Sequence, residues 1–218
     1  EDGYITYLRT DSTRIADEAD AAARSFIAAQ FGENYVNGGS GPQPKAQAEV
    51  KIQDAHEAIR PTSLDLSPEE AKAKLPRDEF RLYQLIYKRF LASRMSAALY
   101  STESVKLRAG EYVFTLNGSK LSFDGFLSVY MTEEDKAEKD VSLPELTVGE
   151  ALPLDSFDKE QHFTQPPAHY TEASLVKALE EDGIGRPSTY APTIGTLLAR
   201  RYIAKEKKNI FVTELGLA

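Results

Sequence analysis

Gly3-Tyr4-Ile5-Thr6-Tyr7-Leu8-Arg9-Thr10-Asp11-Ser12 is a short aromatic and apolar segment that ends in a turn signal and leads into a helix. Residues 5–8 are typical of a short buried strand or turn that presents Tyr7. Ser12 or Thr13 is a candidate N-cap. Apolar residues then recur at helical spacing: Ile15, Ala16, Ala19, Ala22, Ala23, Phe26 and Ile27. Gly32 should end this helix.

Helix signals continue to about residue 100. The run Ser67-Pro68-Glu69-Glu70 predicts a capping box with proline at the first helical position. A long helix is predicted near 78–99 from the spacing of Leu82, Leu85, Ile86, Phe90 and Met95. Residues 37–44, rich in glycine and proline, predict a loop. Residues 1–100 are therefore expected to form a mainly helical domain.

The middle of the chain, residues 101–168, changes to strand patterns. Two runs rich in β-branched and aromatic residues flank a turn at Ala109-Gly110, and Asn117-Gly118 is a strong hairpin signal. Residues 126–130 are predicted to continue the sheet. The acidic stretch 133–140 is predicted to be a linker or an exposed loop. This part is interpreted as a β-rich segment.

The last part, residues 169–218, is predicted to be a helix, a second helix and a hairpin. Thr171 should cap the first helix and Ser188 or Thr189 the second. Residues 207–209 predict the turn between two short strands. Because helical and β parts lie in separate blocks, the predicted fold class is α+β rather than alternating α/β.

Composition narrows the class of protein. With 41% hydrophobic residues among 218, the chain can bury a core of ordinary size. The absence of cysteine excludes disulfides and thiolate metal sites and fits a reducing cytoplasm. The three histidines are well separated, so no metal site is predicted. No apolar run approaches the roughly 20 residues that span a bilayer, so no membrane partner is expected.

The charge distribution bears on nucleic acid as a partner. The formal net charge of −8 argues weakly against it. However, residues 131–160 carry ten acids against three bases, whereas residues 182–208 carry six bases against two acids. A local basic stretch can follow a phosphate backbone although the whole chain is acidic. The alternative is that both stretches are solvated surfaces.

Tyr7 and Arg9 form the first candidate site. On an extended segment two residues apart, both side chains point to one face. A phenol is mostly protonated at neutral pH, and nearby cations favour its anion. A guanidinium can also bind two phosphate oxygens, so the pair suits attack on a phosphodiester. The alternatives are a core tyrosine and an arginine that pairs with Asp11 or with a carboxylate elsewhere.

His56 and Arg60 form the second candidate site. They are four residues apart and share a face if the segment is helical, and Pro61 would end that helical turn. The imidazole could manage a proton and the guanidinium could hold a phosphate. Asp11 could hold His56 or Arg9 in position. A partly buried structural histidine is the alternative, and Glu57 would be a solvent or capping residue.

The run Gly183-Ile184-Gly185-Arg186-Pro187-Ser188-Thr189-Tyr190-Ala191 places two glycines and an arginine before a helix start. Backbone amides at that start, the Ser188 and Thr189 hydroxyls and Arg186 could bind a phosphate. Tyr190 could stack on a base or anchor the helix. A helix C-cap followed by an N-cap explains the same residues without a ligand.

Three runs in this order resemble type IA DNA topoisomerases: residues 3–12, the run His56-Glu57-Ala58-Ile59-Arg60-Pro61-Thr62, and residues 183–191. The third run is similar to the version found in the bacterial topoisomerase I branch. Leu8 stands where the topoisomerase III branch usually carries proline. The similarity extends from Gly3 to about Gly216. The β-rich segment would then be part of a gate hinge, and residues 169–218 part of a domain that binds single-stranded DNA.

The resemblance implies a reaction and assigns roles. The reaction is reversible transesterification on single-stranded DNA through a 5′-phosphotyrosine, which relaxes negative supercoils without ATP in the bacterial cytoplasm, in association with the nucleoid. Tyr7, Arg9 and His56 would be catalytic, and Asp11 would support them. The residues expected to contact DNA are Arg60, Arg186, Ser188, Thr189 and Tyr190.

The family uses Mg²⁺, which an acidic domain upstream of the tyrosine run binds. No Asp-x-Asp pair with a distant Glu stands in for it here. We therefore expect the chain to be a fragment whose Mg²⁺ is bound by a metal-binding domain elsewhere in the same protein. Alone it should be inactive in relaxation. Two alternatives remain: a non-catalytic module that binds single-stranded DNA, and a winged-helix-like DNA-binding module.

Overall fold

The computed structural model describes residues 3–10, 12–37, 56–132, 141–156 and 158–218. Helices and strands occupy separate blocks of the chain, so the α+β class is confirmed. The chain divides into two compact units, Glu1–Glu150 and Ala151–Ala218. The finer division predicted from sequence, with boundaries near 100 and 168, stays a prediction.

Helix α1, Asp17–Phe31, is the first helix of unit 1. It ends at Gly32, whose φ of 106° is accessible to glycine without strain, as predicted. The predicted cap at Ser12 or Thr13 is wrong, because the N-cap residue is Ala16, which makes no side-chain capping hydrogen bond. A short 3₁₀ helix, Glu33–Tyr35, follows.

Helix α3, Arg77–Arg94, packs against α1, and helix α2, Pro68–Lys74, packs against α3. The capping box predicted at Ser67 and Glu70 is confirmed, with both reciprocal hydrogen bonds present. The prediction that α3 reaches residue 99 is wrong, because Met95 is extended and bridges to Val36. The buried core of unit 1 consists of Ile27, Ala71, Tyr83, Tyr87, Leu91 and Met95.

Strands β1, Leu99–Ala109, and β2, Tyr112–Phe123, form an antiparallel hairpin around the predicted turn at Gly110, where φ is 62°. The turn predicted at Asn117-Gly118 is wrong, because both residues pair within β2, with Ser104 and Glu103. Glycine is needed at 118 for packing: a Cβ there would lie 2.9 Å from Leu143 Cγ.

The predicted continuation of the sheet through residues 126–130 is also wrong. Gly125–Ser128 is a 3₁₀ helix that buries Leu127. Gly125 has a φ of 49°, and a Cβ on it would lie 2.5 Å from the Ser96 carbonyl oxygen. This close approach turns the chain out of the strand direction. The stretch 133–140 and most of the loop predicted at 37–44 lie outside the described residues.

Unit 2 has the predicted order of helix, helix and hairpin. Its helices are α4, Glu172–Glu181, and α5, Tyr190–Ala199; its strands are β3, Ile203–Glu206, and β4, Asn209–Val212; and a short helix α6, Glu214–Leu217, follows. Thr171 caps α4 as predicted. The β3–β4 turn lies at Lys207 and Lys208, and Lys207 has a φ of 55°. Ile194 and Ile210 are buried.

Candidate active site

The first two sequence runs lie side by side in unit 1. Ile5 forms an antiparallel bridge with Pro61, and the Thr6 amide donates to the Arg60 carbonyl oxygen at 2.9 Å. The segment presents Tyr7 as predicted, since Tyr7 is 76% exposed, but the predicted burial is wrong at this end, because Leu8 is 57% exposed as well. The segment is instead anchored by its backbone, and it presents the phenol to solvent.

Two hydroxyl groups fasten the segment on either side of Tyr7 and Arg9. The Thr6 hydroxyl donates to the Ala58 carbonyl oxygen at 2.8 Å and accepts from the Arg60 amide at 2.9 Å. The Ser12 hydroxyl donates to the His56 carbonyl oxygen at 2.8 Å. Sequence analysis missed both roles. The signal was present, since hydroxyl residues flank the run, but their partners lie more than forty residues away.

Arg9 and His56 meet beside Tyr7. The Arg9 Nη1 atom lies 3.4 Å from His56 Nε2, and the Tyr7 and His56 ring centroids are 6.4 Å apart. A guanidinium can only donate, so Nε2 is the acceptor and a neutral His56 carries its proton on Nδ1. Within the described residues, the buried His56 Nδ1 atom has no hydrogen-bond partner.

This arrangement can bind a phosphate and handle a proton. Arg9 offers planar donors to phosphate oxygens, and the imidazole is a proton-accepting group within the same small region. The exposed phenol leaves room for a large substrate such as a polynucleotide. Asp11, the predicted support for His56 or Arg9, lies outside the described residues.

The segment from His56 to Arg60 is not helical, so the prediction that these two side chains share a face is wrong. Its backbone instead pairs with residues 4–6 and its side chains diverge. His56 faces Arg9, whereas Arg60 binds both carboxylate oxygens of Glu57 at 2.9 and 3.0 Å. Pairing across more than fifty residues overrides the local helical spacing.

Glu57 has the predicted capping role, in a form that sequence spacing could not show. Its Oε1 atom accepts from the Ala16 amide at 2.7 Å, at the start of α1. Hydrogen bonds from Arg60 lower the pKa of Glu57 below its usual 4.5 against the opposing effect of burial, and the Ala16 amide adds to the lowering. A charged carboxylate is also favoured at a helix N-terminus.

The stability of the protein should therefore depend on pH through Glu57. A group whose pKa is lowered by folding stabilises the folded protein at pH values above its unfolded pKa. This contribution is lost as the pH falls through the folded pKa. We expect Glu57→Gln to lower the melting temperature at neutral pH, and the difference from wild type to shrink below the usual pKa of 4.5. Thermal melts from pH 7 to about pH 3 would measure this.

Glu18→Gln is the matched control, because it removes one charge from the exposed first turn of the same helix. It should change the melting temperature less than Glu57→Gln does. A Glu57→Gln difference that stayed constant down to the acid end of the series would contradict the linkage.

The third run, residues 183–191, lies in unit 2 and is organised by Thr189. The Thr189 hydroxyl accepts from the Arg186 amide at 2.8 Å, and the Arg186 carbonyl oxygen accepts from the amides of Thr189 and Tyr190. Thr189 is the N-cap residue of α5, as predicted, but its side chain makes no capping hydrogen bond to the helix. Two of the amides expected to bind phosphate are already used, whereas the Arg186 and Ser188 side chains are exposed.

Gly185 is required at the centre of this loop. Its φ is 83°, and a Cβ would lie 3.1 Å from the Thr189 hydroxyl oxygen and 3.2 Å from the Tyr190 ring. Tyr190 is half-buried against this backbone, which favours its role as an anchor of α5. The loop thus presents Arg186 from a rigid support.

Two absences hold for the residues that the structure describes. No three histidine or acidic side chains among them come together in a group that could hold a metal ion. No described helix is both long and apolar enough to cross a membrane.

Comparisons with known proteins agree on one family. The sequence family described as DNA topoisomerase matches residues 1–218. The structure of full-length topoisomerase I from Thermotoga maritima is similar to this chain with a TM-score of 0.75 and 40% sequence identity. That match covers 98% of this chain and 33% of the Thermotoga chain, so this chain spans about a third of that protein's length.

Proposed function

The chain belongs to the type IA DNA topoisomerase family, in its bacterial branch, and from this premise we propose that Tyr7 is the residue that breaks and holds a DNA strand. The observation that carries the proposal is the exposed Tyr7 phenol beside the Arg9–His56 contact, on a segment fastened at Thr6 and Ser12. Fixed geometry of this kind favours a reaction over simple binding.

The proposed step exchanges one phosphodiester for another. The Tyr7 oxygen attacks phosphorus and loses its proton, a phosphorus–oxygen bond forms to Tyr7, and the bond to the 3′ oxygen breaks. The 3′ oxygen gains a proton and leaves as a hydroxyl, while the 5′ phosphate stays on Tyr7. Attack by the same hydroxyl reverses the step, so no ATP is consumed.

Arg9 and His56 have separate tasks in this step. The Arg9 guanidinium would bind phosphate oxygens and stabilise the charge that develops on them. His56, whose Nε2 atom faces Arg9, would act on the same phosphate or on the proton that moves. When phosphate replaces His56 as the acceptor for Arg9, the imidazole nitrogen is freed for that second task.

The broader activity is relaxation of negative supercoils, with single-stranded DNA as substrate and Mg²⁺ as cofactor. Because the described residues contain no metal-binding group, Mg²⁺ ligands are proposed to come from another part of the same protein, and no step above depends on the ion. We expect this chain alone to leave the topology of a supercoiled plasmid unchanged in the presence of Mg²⁺. Relaxation by the pure chain would contradict this expectation.

Covalent trapping tests the proposal. A 3′-labelled single-stranded oligonucleotide is incubated with the protein expressed from the complete reading frame, and the reaction is stopped with denaturant. We expect labelled protein whose label maps to the peptide that contains Tyr7. Absence of any adduct would favour the non-catalytic DNA-binding alternative.

Arg186 is proposed to contact the DNA backbone, with smaller contributions from Ser188, Thr189 and Tyr190. Arg186→Ala should weaken binding of single-stranded oligonucleotides regardless of sequence and should lower the salt slope by about one. Ser188→Ala should matter less, because a neutral hydrogen bond contributes roughly 0.5–1.5 kcal/mol. Titrations at two salt concentrations would measure both effects.

Arg201→Ala is a control for Arg186→Ala, since Arg201 is another exposed arginine of unit 2 outside the loop. Equal affinities and salt slopes for wild type and Arg186→Ala would remove the loop from the DNA-binding site. A preference for duplex over single strands would instead favour a winged-helix-like module.

A further inference from the structure

Arg60 is enclosed by its own segment. Its Nε and Nη2 atoms donate to Glu57 at 2.9 and 3.0 Å, and its Nη1 atom donates to the Pro61 carbonyl oxygen at 2.9 Å. Its side chain is 13% exposed. All three nitrogens of the guanidinium therefore have partners within residues 57–61, and little of the group faces solvent.

The same ion pair joins this segment to the rest of the unit. Glu57 accepts from the Ala16 amide at the start of α1, and the Ala58 amide donates to the Arg14 carbonyl oxygen at 2.7 Å. Hydrogen bonds from Arg60 lower the pKa of Glu57 below its usual 4.5, so the carboxylate stays charged well below neutral pH. The carboxylate thus links Arg60 to the start of α1, and the two contacts together hold the segment in place.

The segment that this pair fixes carries His56 at one end and contacts the Tyr7 segment at the other. His56, which contacts Arg9, directly precedes Glu57, and Pro61, which bridges to Ile5, directly follows Arg60. A shift of the segment would change both the Arg9–His56 distance and the path of the backbone that presents Tyr7. Reaction rates are sensitive to such shifts, since a displacement of about 1 Å can cost 100-fold.

We propose that Glu57 and Arg60 are positioning residues, which hold His56 and the Tyr7 segment in the geometry for strand cleavage without touching DNA. This role rests on the proposed function, because it requires cleavage by Tyr7. It replaces direct DNA contact as the task of Arg60. A guanidinium with three occupied nitrogens and 13% exposure would have to break these bonds to reach a phosphate.

The experiment compares Arg60→Lys, Arg60→Ala, Glu57→Gln and Glu57→Ala in the protein from the complete reading frame. Single-turnover cleavage of a 3′-labelled oligonucleotide gives the rate, and its pH profile is recorded. DNA affinity is measured separately with each change placed in a Tyr7→Phe background. Lysine keeps the charge but lacks the planar fork that makes two parallel hydrogen bonds to a carboxylate, so it separates positioning from phosphate contact. Glu57→Gln keeps the shape of the side chain, so it replaces Glu57→Ala in the test if that variant fails to fold.

We expect both Arg60 variants to cleave about 10- to 100-fold more slowly, with DNA affinity within about twofold of the background and an altered pH profile, because His56 is displaced. The double variant Glu57→Ala/Arg60→Ala should be no slower than the slower single variant, because the pair acts as a unit. Arg94→Ala is the matched control: it removes a half-buried ion pair with Asp20 and should leave the rate of folded protein unchanged.

Other outcomes would overturn the role. If Arg60→Lys cleaves normally while Arg60→Ala binds DNA weakly and has a lower salt slope, Arg60 contacts phosphate directly. If the variants cleave slowly only because less of the protein is folded, and their pH profile is unchanged, the ion pair contributes to stability alone. Wild-type protein without an adduct, or Tyr7→Phe with one, would instead reject the proposed function, and the positioning role with it.

Discussion

Tyr7→Phe abolishes covalent attachment to DNA in the expected result, while binding of single-stranded DNA and thermal stability stay close to wild type. The substitution removes only the hydroxyl oxygen, and without it no phosphotyrosine can form. Because the ring is 76% exposed, loss of the hydroxyl should disturb no packing. Adduct formation with a 3′-labelled oligonucleotide, oligonucleotide titration and a thermal melt measure the three properties.

Tyr4→Phe provides the matched control. It removes a phenol hydroxyl three residues earlier, on a side chain that packs against the core of unit 1. This variant should form adducts at the wild-type rate. Persistent DNA attachment in Tyr7→Phe would reject Tyr7 as the nucleophile and direct attention to another phenol.

Arg9→Ala should produce the second-largest effect, a loss of roughly 2–4 kcal/mol of transition-state stabilisation, comparable to the loss of one oxyanion donor. This corresponds to a decrease of about 30- to 1,000-fold in the single-turnover cleavage rate. The guanidinium is expected to act on charge that develops at phosphorus, so the rate should fall more than the DNA affinity does. Adduct formation measured over time at saturating oligonucleotide separates the two.

Arg108→Ala is the control for this change, because Arg108 is an exposed arginine near the end of β1, outside the first two runs. It alters the net charge equally and should leave the rate within about twofold, as surface substitutions usually do. His56→Ala should cost somewhat less than Arg9→Ala and should alter the pH profile of cleavage. Normal rates in both Arg9→Ala and His56→Ala would make the 3.4 Å contact structural.

Sequence signals that act over a few residues were sufficient for several elements. The capping box at Ser67 and Glu70, the end of α1 at Gly32 and the cap of α4 at Thr171 were all predicted correctly. Each depends on a side chain or backbone conformation within four residues of the helix end. The grouping of Tyr7 with Arg9, as residue types suited to phosphate chemistry, was likewise readable from the sequence.

Sequence signals were misread where a residue distant in the chain contacts the same group. Asn117-Gly118 has the composition of a hairpin turn, but both residues pair with β1 inside strand β2, and Leu143 lies close to Gly118. Ser12 has the composition of a helix cap, but its hydroxyl donates to His56, so α1 begins later. In both cases a tertiary contact offers the group a partner that the local sequence does not contain.

The sequence by itself determined the family, the order of helices and strands in unit 2, and the residue types at the candidate site. Only the tertiary structure decided how those residues meet: His56 faces Arg9, Arg60 turns to Glu57, and Glu57 accepts from the Ala16 amide, 41 residues earlier, at the start of α1. The physical reason is the separation of the partners along the chain. Hydrogen bonds such as that from the Arg60 amide to the Thr6 hydroxyl, 54 residues apart, exist only once the backbone has folded and brought both groups together.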